Sequence, residues 1–154
     1  QEIILKHLRA AFPADALVAE EKTPTLAAAA HTADRVWVVD PIDGTRGFAV
    51  KNGEFSVMVG LTVGGEAVVG VVLEPVTGRV TYAARGAGCW TRSGDGEAVR
   101  CRVTATADVG RGVLVQSRSK AGKGPKPTER ALAPGSVTET YSAGLKLAIV
   151  ARGE

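Results

Sequence analysis

The chain of 154 residues is 45% apolar and 23% charged, a composition typical of a folded globular domain and unlike that of a disordered or fibrous chain. Its 19 Lys and Arg exceed its 16 Asp and Glu only slightly, and the net charge of +3 is too small to predict a polyanionic partner. Aromatic residues make up 5% of the chain, which disfavours a single-stranded nucleic acid as ligand. We therefore expect no nucleic acid polymer among its partners.

The sequence also argues against a membrane segment and a disulfide framework. The longest apolar run, 67–73, is interrupted by Gly70 and is far shorter than the roughly 18 residues of a membrane-spanning helix. Cys89 and Cys101 are too few for a disulfide scaffold and lack the spacing of a zinc site. We expect free thiols that pack against neighbouring side chains, no membrane association, and a reducing, cytoplasmic location.

Both ends of the chain indicate a piece of a longer protein. The only methionine is Met58, so Gln1 is not an initiator residue. The apolar stripe over 2–12 predicts a helix that no Ser, Thr, Asp or Asn precedes as a cap. A second apolar helix is predicted over 144–151, close to the last residue. We expect a single partial domain over residues 1–154, incomplete at both ends, with a first helix and a C-terminal portion outside the chain.

The middle of the chain is rich in predicted strands. Short apolar runs separated by turn residues over 55–103 predict an antiparallel meander. An Ala-rich segment over 23–33 is a loop or a weak helix, and 121–127 is a Lys-, Gly- and Pro-rich loop. Further strands are predicted at 17–19, 36–39, 113–115 and 137–141. The strand at 36–39 is continuously apolar, which predicts burial on both of its faces. The sum is an α+β fold with one large, mostly antiparallel sheet flanked by helices.

Acidic residues follow two of these strands. Glu20 and Glu21 come directly after the strand at 17–19, and the strand at 36–39 leads into the run Asp40-Pro41-Ile42-Asp43-Gly44-Thr45. If the two strands are neighbours, their acidic ends meet at one edge of the sheet. Oxygen ligands of this kind select a hard cation such as Mg²⁺ or Mn²⁺. A turn at Gly44 that opens a helix would also present backbone amides to an anion. The pattern therefore predicts a site for metal and phosphate.

Other interpretations of these residues remain open. Asp, Pro, Gly and Thr also make up ordinary surface turns, and a calcium-binding structural module is a further alternative. The calcium interpretation is disfavoured because the chain has no acids at alternating positions. His7 and His31 have no ligand spacing and are interpreted as surface residues. A basic loop of Lys120, Lys123 and Lys126 is either solvated or in contact with a substrate phosphate.

The acidic run resembles the signature of a known family, the magnesium-dependent, lithium-sensitive phosphomonoesterases that include inositol monophosphatase and 3'(2'),5'-bisphosphate nucleotidase. The resemblance spans essentially all 154 residues and includes Trp37-Val38-Val39 before the run, Phe48 after it and Glu20 twenty positions upstream of Asp40. It implies a layered α/β sandwich of the sugar-phosphatase type and hydrolysis of a small phosphorylated substrate. A homodimer is also implied.

The resemblance implies roles for individual residues. Glu20, Asp40 and the main-chain carbonyl of Ile42 would hold one metal ion, and Asp40 and Asp43 would share another. The family uses two or three Mg²⁺ ions, for which Mn²⁺ can substitute. Glu20 and Thr45 would orient the attacking water and help to deprotonate it, so that Glu20, Asp40 and Thr45 form the catalytic set. Glu21 would support these residues from outside the metal shell.

A further metal ligand of the family is absent from this chain. Relatives carry an aspartate in a Trp-Asp segment, but neither Trp37 nor Trp90 is followed by Asp. We therefore expect the chain to bind a second metal ion weakly and to turn over slowly by itself. A non-catalytic fragment or regulatory subunit that retains the fold is the alternative.

The substrate-binding residues favour the nucleotidase branch. The amides of Gly44 and Thr45 would receive phosphate oxygens, and Lys146 in Leu145-Lys146-Leu147 resembles a lysine that meets a substrate phosphate there. Two serines of that branch are replaced by Ala143 and Gly144, which leaves Ser142 as the nearby substrate-binding hydroxyl. The expected activity is hydrolysis of the 3'-phosphate of adenosine 3',5'-bisphosphate. Inositol monophosphate or another sugar or nucleoside monophosphate is the alternative substrate.

Overall fold

The structure is a computed structural model that describes residues 1–118 and 124–154. The helices are α1 (Glu2–Ala11), α2 (Pro24–Ala27), α3 (Thr45–Ala49), α4 (Pro127–Leu132) and α5 (Ala143–Arg152), with a 3₁₀ turn at Val109–Arg111. The strands are β1 (Ala16–Ala19), β2 (Arg35–Asp43), β3 (Ser56–Val63), β4 (Glu66–Glu74), β5 (Arg79–Ala84), β6 (Gly88–Ser93), β7 (Val99–Arg100), β8 (Val113–Ser117) and β9 (Ser136–Thr140).

The first seven strands form one sheet in sequence order, β1 to β7. Strands β1 and β2 pair in parallel, and every later pair in this sheet is antiparallel. The predicted meander and the mostly antiparallel sheet are therefore confirmed. Strands β8 and β9 pair in parallel with each other in a separate sheet of two strands, which the sequence pattern does not separate from the first.

One face of the large sheet carries the main core. Leu5 of α1 packs with Leu17, Trp37, Val39 and Leu61, and Leu5 has no exposed surface. The stripe that predicts α1 accounts for this contact, because residues three and four apart lie on one side of a helix. Helix α1 therefore covers the β1–β3 end of this face.

Strand β2 is buried on one face only, and the expectation of burial on both faces is wrong. Trp37 and Val39 are 8% and 2% exposed on the face below α1, whereas Val38 between them is 43% exposed. Helix α5 packs on β3 and β4 and contacts β8 and β9. Since α5 lies over the middle of the sheet, it leaves Val38 uncovered.

Helix α5 is anchored at both ends. At its start the Ser142 hydroxyl accepts a hydrogen bond from the Leu145 amide at 2.9 Å. Near its end the Arg152 guanidinium, 4% exposed, contacts Glu74 at 2.6 Å and Thr81 at 2.8 Å. A charge pair this well buried fixes orientation because either partner alone would be left unpaired. The first turn of α5 is thereby held in a defined position beside the sheet.

The two cysteines are free thiols that lie opposite each other at the β6–β7 edge. The Cys101 amide donates to the Cys89 carbonyl at 2.8 Å. Burial, together with the neighbouring Cys89 thiol, raises the pKa of Cys101 to about 11. A thiol with so high a pKa is protonated and unreactive near neutral pH, in agreement with the predicted packing role.

The short helix α4 is an addition that the sequence pattern does not predict, since it is only six residues long. Helix α3, five residues long, is the helical start after Gly44 on which the predicted phosphate site depends. In the basic loop, Lys126 pairs with Glu139 at 2.5 Å, so its charge is used within the fold. Lys120 and Lys123 lie outside the described residues. Within 1–118 and 124–154, none of the helices has the length and apolar character needed to cross a membrane.

The core contact of α1 can be tested by shortening one side chain. We expect Leu5→Ala to lower the free energy of unfolding by about 2–5 kcal/mol, because the side chain is fully buried and leaves a cavity. Ile3→Ala is the matched control on the same helix: Ile3 is 73% exposed, and its replacement should change stability by no more than about 0.5 kcal/mol. Urea unfolding followed by circular dichroism measures both. Equal effects of the two changes would contradict the packing of α1 on the sheet.

Candidate metal and phosphate site

Two acidic residues meet because β1 and β2 run in parallel. The pairing of Ala19 with Val39 places Glu20, the next residue after β1, beside Asp40 of β2. Both carboxyl ends lie at the same edge of the sheet, as the sequence predicts. Glu20 is exposed and Asp40 is partly buried.

The charges at this edge act on one another. The pKa of Glu20 is raised, first by the negative charge of Asp40, then by desolvation and by Glu21, with a contribution from Asp43. Like charges raise the pKa of a carboxyl because they disfavour its ionised form. The structure therefore brings Glu20, Asp40 and Asp43 into one electrostatic neighbourhood.

The turn after Asp40 is closed by local hydrogen bonds. Asp40 Oδ1 accepts from the Ile42 amide at 3.1 Å, and the Thr45 hydroxyl donates to the Ile42 carbonyl at 3.2 Å. Gly44 adopts a left-handed conformation, φ +85° and ψ +39°, and forms the N-cap of α3. A side chain at Gly44 would be strained in this conformation. Thr45 is therefore the first residue of a helix, as the phosphate-binding prediction requires.

Gly44 also allows α5 to approach the turn. A Cβ atom at Gly44 would lie 3.0 Å from the Cα and Cβ atoms of Ser142 and closer still to the Glu54 carbonyl. A contact that close leaves no room for any larger residue. The beginnings of α3 and α5 are thus brought together at this point.

Asp43 joins the turn to α5. Its Oδ2 accepts hydrogen bonds from the Ser56 hydroxyl at 3.1 Å, from the Gly144 amide at 2.7 Å and from the Ser142 hydroxyl. Ser56 and Ser142 have no exposed surface. The predicted substrate contact of Ser142 is therefore not favoured by the geometry, since its hydroxyl is directed to Asp43 and not to solvent.

Lys146 lies at the same end of α5. Its ammonium group donates to the Ser142 carbonyl at 2.8 Å, which turns the side chain back toward the start of the helix. Lys146 therefore has its charge near Ser142, the residue that Gly44 contacts. This position agrees with the predicted role of Lys146 in phosphate binding, which stays a prediction.

Next to the turn lies a group of residues that the sequence analysis did not single out. The Tyr141 ring has the Arg46 guanidinium 5.4 Å and the Arg118 guanidinium 5.7 Å from its centre. Glu54 binds Arg118 through both of its carboxylate oxygens and accepts the Tyr141 amide at 3.1 Å. Arg118 lowers the pKa of Glu54, since a carboxylate beside a guanidinium favours its charged form.

Only part of this arrangement could be found in the sequence. A pairing of Arg118 with Glu54 joins residues 64 positions apart, and no periodic pattern identifies such a pair. A polar Ser56 at the start of an otherwise apolar strand is the one local signal, because burial of a hydroxyl requires a partner.

The donor set has the chemistry of a site for a hard divalent cation. Carboxylates and a main-chain carbonyl are the ligands that Mg²⁺ prefers, and the raised pKa of Glu20 shows that negative charge is concentrated there. Across 1–118 and 124–154, no three His, Cys, Asp or Glu side chains form a group that could hold a metal ion. The residues fit the ion in the chemistry of their oxygen donors, and Mg²⁺ usually completes its shell with water and substrate phosphate.

Comparison with known proteins agrees with this geometry. The chain matches the Inositol monophosphatase family over residues 1–154. It is 42% identical over 84 residues to the 3'(2'),5'-bisphosphate nucleotidase CysQ of Salmonella typhimurium, a match that covers 54% of this chain and 34% of that protein. It is 32% identical over 152 residues to the Escherichia coli protein of the same name, covering 99% of this chain and 59% of that protein.

Among solved structures, the Thermotoga maritima IMPase aligns with a TM-score of 0.80 at 28% identity. The alignment covers 99% of this chain and 56% of that one. The chain thus spans well under two thirds of the length of the relatives it matches. The full-length family match and the shared fold lead to one conclusion: this chain belongs to the inositol monophosphatase family.

Proposed function

We propose that the chain contributes the metal- and phosphate-binding edge of a magnesium-dependent phosphomonoesterase. The observation that carries the proposal is the meeting of Glu20 and Asp40 at one sheet edge, with Asp43 close enough to influence the pKa of Glu20. The relatives named above are a nucleotidase and an IMPase, and both are phosphatases. A scaffold without catalytic function would gain nothing from concentrating these charges, since unneutralised like charges destabilise the folded state.

The proposed metal ligands follow from the position of each oxygen. Glu20, Asp40 and the Ile42 carbonyl would hold one Mg²⁺, and Asp40 and Asp43 would share in holding another. Such ions neutralise phosphoryl oxygens and lower the pKa of water. Glu20 and Thr45 would orient the attacking water, and the Glu20 carboxylate would accept its proton with the help of the Thr45 hydroxyl. The Thr45 hydroxyl, which donates to the Ile42 carbonyl in this structure, would reorient toward that water.

The phosphate would be received at the start of α3. The first amides of a helix have no partner within the helix, and those of Gly44 and Thr45 would donate to phosphate oxygens. Lys146, held at the start of α5, adds a positive charge on the neighbouring segment. The positive charge on α5 and the amides at the start of α3 are both suited to bind phosphate, and they lie on neighbouring segments. This arrangement suits a small substrate that carries more than one phosphate.

The substrate that we favour is adenosine 3',5'-bisphosphate, cleaved at its 3'-phosphate. The 32% identity to a 3'(2'),5'-bisphosphate nucleotidase over 152 residues supports this choice, as does the presence of Lys146. Inositol monophosphate is the second candidate, supported by the fold shared with the Thermotoga maritima IMPase. The free thiols of Cys89 and Cys101 agree with a reducing, cytoplasmic location.

Removal of a proposed ligand should weaken metal binding without unfolding the chain. In Asp43→Asn the amide oxygen can still accept the donors from α5, while the amide nitrogen, which does not bind Mg²⁺, faces the proposed ion. We expect the Mn²⁺ affinity of Asp43→Asn and of Glu20→Gln to fall by about tenfold or more, measured by isothermal titration calorimetry.

Glu97→Gln is the control for this experiment, because Glu97 is an exposed acid on the β6–β7 connection, distant in the sheet from β1 and β2. It should bind Mn²⁺ as the unchanged chain does. If Glu20→Gln and Glu97→Gln bound Mn²⁺ equally well, Glu20 would be excluded from the metal shell.

Substrate preference can be measured by phosphate release. With Mg²⁺ present, we expect faster release from adenosine 3',5'-bisphosphate than from inositol 1-phosphate, and inhibition by added Li⁺. Faster release from the inositol ester would show that inositol monophosphate, and not adenosine 3',5'-bisphosphate, is the preferred substrate. Release from neither ester by a chain that still binds Mn²⁺ would favour a non-catalytic role.

Lys146 should discriminate between substrates with one and two phosphates. We expect Lys146→Gln to raise the KM for adenosine 3',5'-bisphosphate by about tenfold, because a hydrogen bond to a charged group contributes roughly 1.5–3 kcal/mol. The KM for adenosine 3'-monophosphate should change much less. Lys6→Gln, on the exposed side of α1, is the control. Equal changes in KM for both nucleotides would show that Lys146 does not contact the second phosphate.

A further inference from the structure

The two oxygens of the Asp43 carboxylate are used unequally. All three hydrogen bonds from Ser56, Ser142 and Gly144 converge on Oδ2. These donors come from β3 and from the start of α5, so both segments lie on the Oδ2 side of the carboxylate. The described contacts of Asp43 thus leave Oδ1 as the oxygen available to a further ligand.

The direction of the protons makes Asp43 an obligatory acceptor. The Ser142 hydroxyl accepts from the Leu145 amide at 2.9 Å and donates its own proton to Asp43 Oδ2, since an ionised carboxylate can only accept. The Ser56 hydroxyl donates to Asp43 Oδ2 at 3.1 Å and lies 3.0 Å from the Ser142 hydroxyl oxygen. Oδ2 therefore receives both hydroxyls and the Gly144 amide.

Packing prevents water from taking the place of these hydroxyls. Ser56 and Ser142 have no exposed surface, and a Cβ atom at Gly144 would overlap Ser56 Oγ and lie 2.8 Å from Met58 Sδ. The glycine therefore makes room for the Ser56 hydroxyl. A buried hydroxyl is stabilised only where it finds a partner, and the shared partner here is Asp43.

We propose that Ser56 and Ser142 are positioning residues that fix the Asp43 carboxylate with Oδ2 toward α5 and Oδ1 toward the metal ion. This inference rests on the proposed function, because it assumes that Asp43 is a metal ligand. An N-cap requires only that Ser142 accept a hydrogen bond, and β3 pairing requires nothing of the Ser56 side chain. The two hydrogen bonds that these hydroxyls donate to Asp43 are therefore not required for forming the helix or pairing the strand.

The test compares Mn²⁺ binding, by isothermal titration calorimetry on the 154-residue chain, among variants that lose one hydroxyl. Loss of a residue that orients a metal ligand reduces metal affinity by about 10–100-fold. We expect Ser56→Ala and Ser142→Ala each to weaken Mn²⁺ binding at least about fivefold. Ser142→Gly removes the same hydroxyl but remains an acceptable N-cap residue, and it should weaken binding equally.

Thr81→Ala is the matched control. Thr81 is also a buried hydroxyl, 5% exposed, and it contacts the far end of α5 through Arg152. The Thr81→Ala substitution should lower the midpoint of unfolding of the chain and leave its Mn²⁺ affinity unchanged. A loss of affinity in Thr81→Ala equal to that in the serine variants would show that general destabilisation of α5 explains both, and would overturn the proposal.

A double-mutant cycle separates positioning from a purely structural role. If the serines act through Asp43, Ser56→Ala and Ser142→Gly should change Mn²⁺ affinity by less than about twofold in an Asp43→Asn background. Additive losses in that background would overturn the proposal. If the serine variants bind Mn²⁺ normally while Asp43→Asn does not, the inference fails and the proposed function stands. If the unchanged chain binds no Mn²⁺, both fail.

Discussion

The hydrogen bonds to Asp43 Oδ2 hold together three parts of the chain that are far apart in sequence. The donors lie 13, 99 and 101 residues from Asp43, on β3 and at the start of α5. Two of these donors are fully buried hydroxyls, and both would lose their charged acceptor if the carboxylate moved away. The first turn of α5, and with it Lys146, is therefore held in part by this one oxygen. Helix α5 packs on the sheet, and Asp43 binds the start of this helix.

The acidic residues of the site experience opposite surroundings. Glu20 lies exposed at the sheet edge, where the charges of Asp40 and Glu21 raise its pKa. Asp43 instead accepts hydrogen bonds from hydroxyl and amide donors of β3 and α5. One side of the site is therefore fixed by the fold before any ion arrives, whereas the other side carries repulsion that a cation would relieve. If the proposed ions bind here, such a division would let the protein fold before it takes up metal.

Sequence reasoning predicted the backbone around the candidate site well where local chemistry determines structure. The apolar strand before Asp40, the turn at Gly44 and the meander over 55–103 follow from patterns within a few residues, and the structure agrees with each of them. Burial of Val38 was predicted wrongly, because the coverage of a strand depends on where a distant helix packs. The short helices α3 and α4 lack the length that gives a periodic signal.

The same limit applies to the role of single residues. A resemblance to the nucleotidase branch indicates a serine near Leu145-Lys146 and assigns Ser142 to the substrate. The structure directs the Ser142 hydroxyl to Asp43, a residue 99 positions away. Gly144 stands out in the sequence only as a departure from the branch, whereas in the structure its missing side chain makes room for Ser56. Neither relation is visible without the packing of α5 on β3.

Residues 56 and 144 consequently occupy one shared volume. A hydroxyl on the strand and a side chain on the helix exclude each other there, so a sequence that enlarges one position has to reduce the other or shift the helix. Amino-acid replacements at these two positions are therefore coupled, although 88 residues of chain separate them and neither residue is expected to touch substrate. Homologues that carry a larger residue at 144 would be expected to hold their equivalent aspartate with a different set of donors.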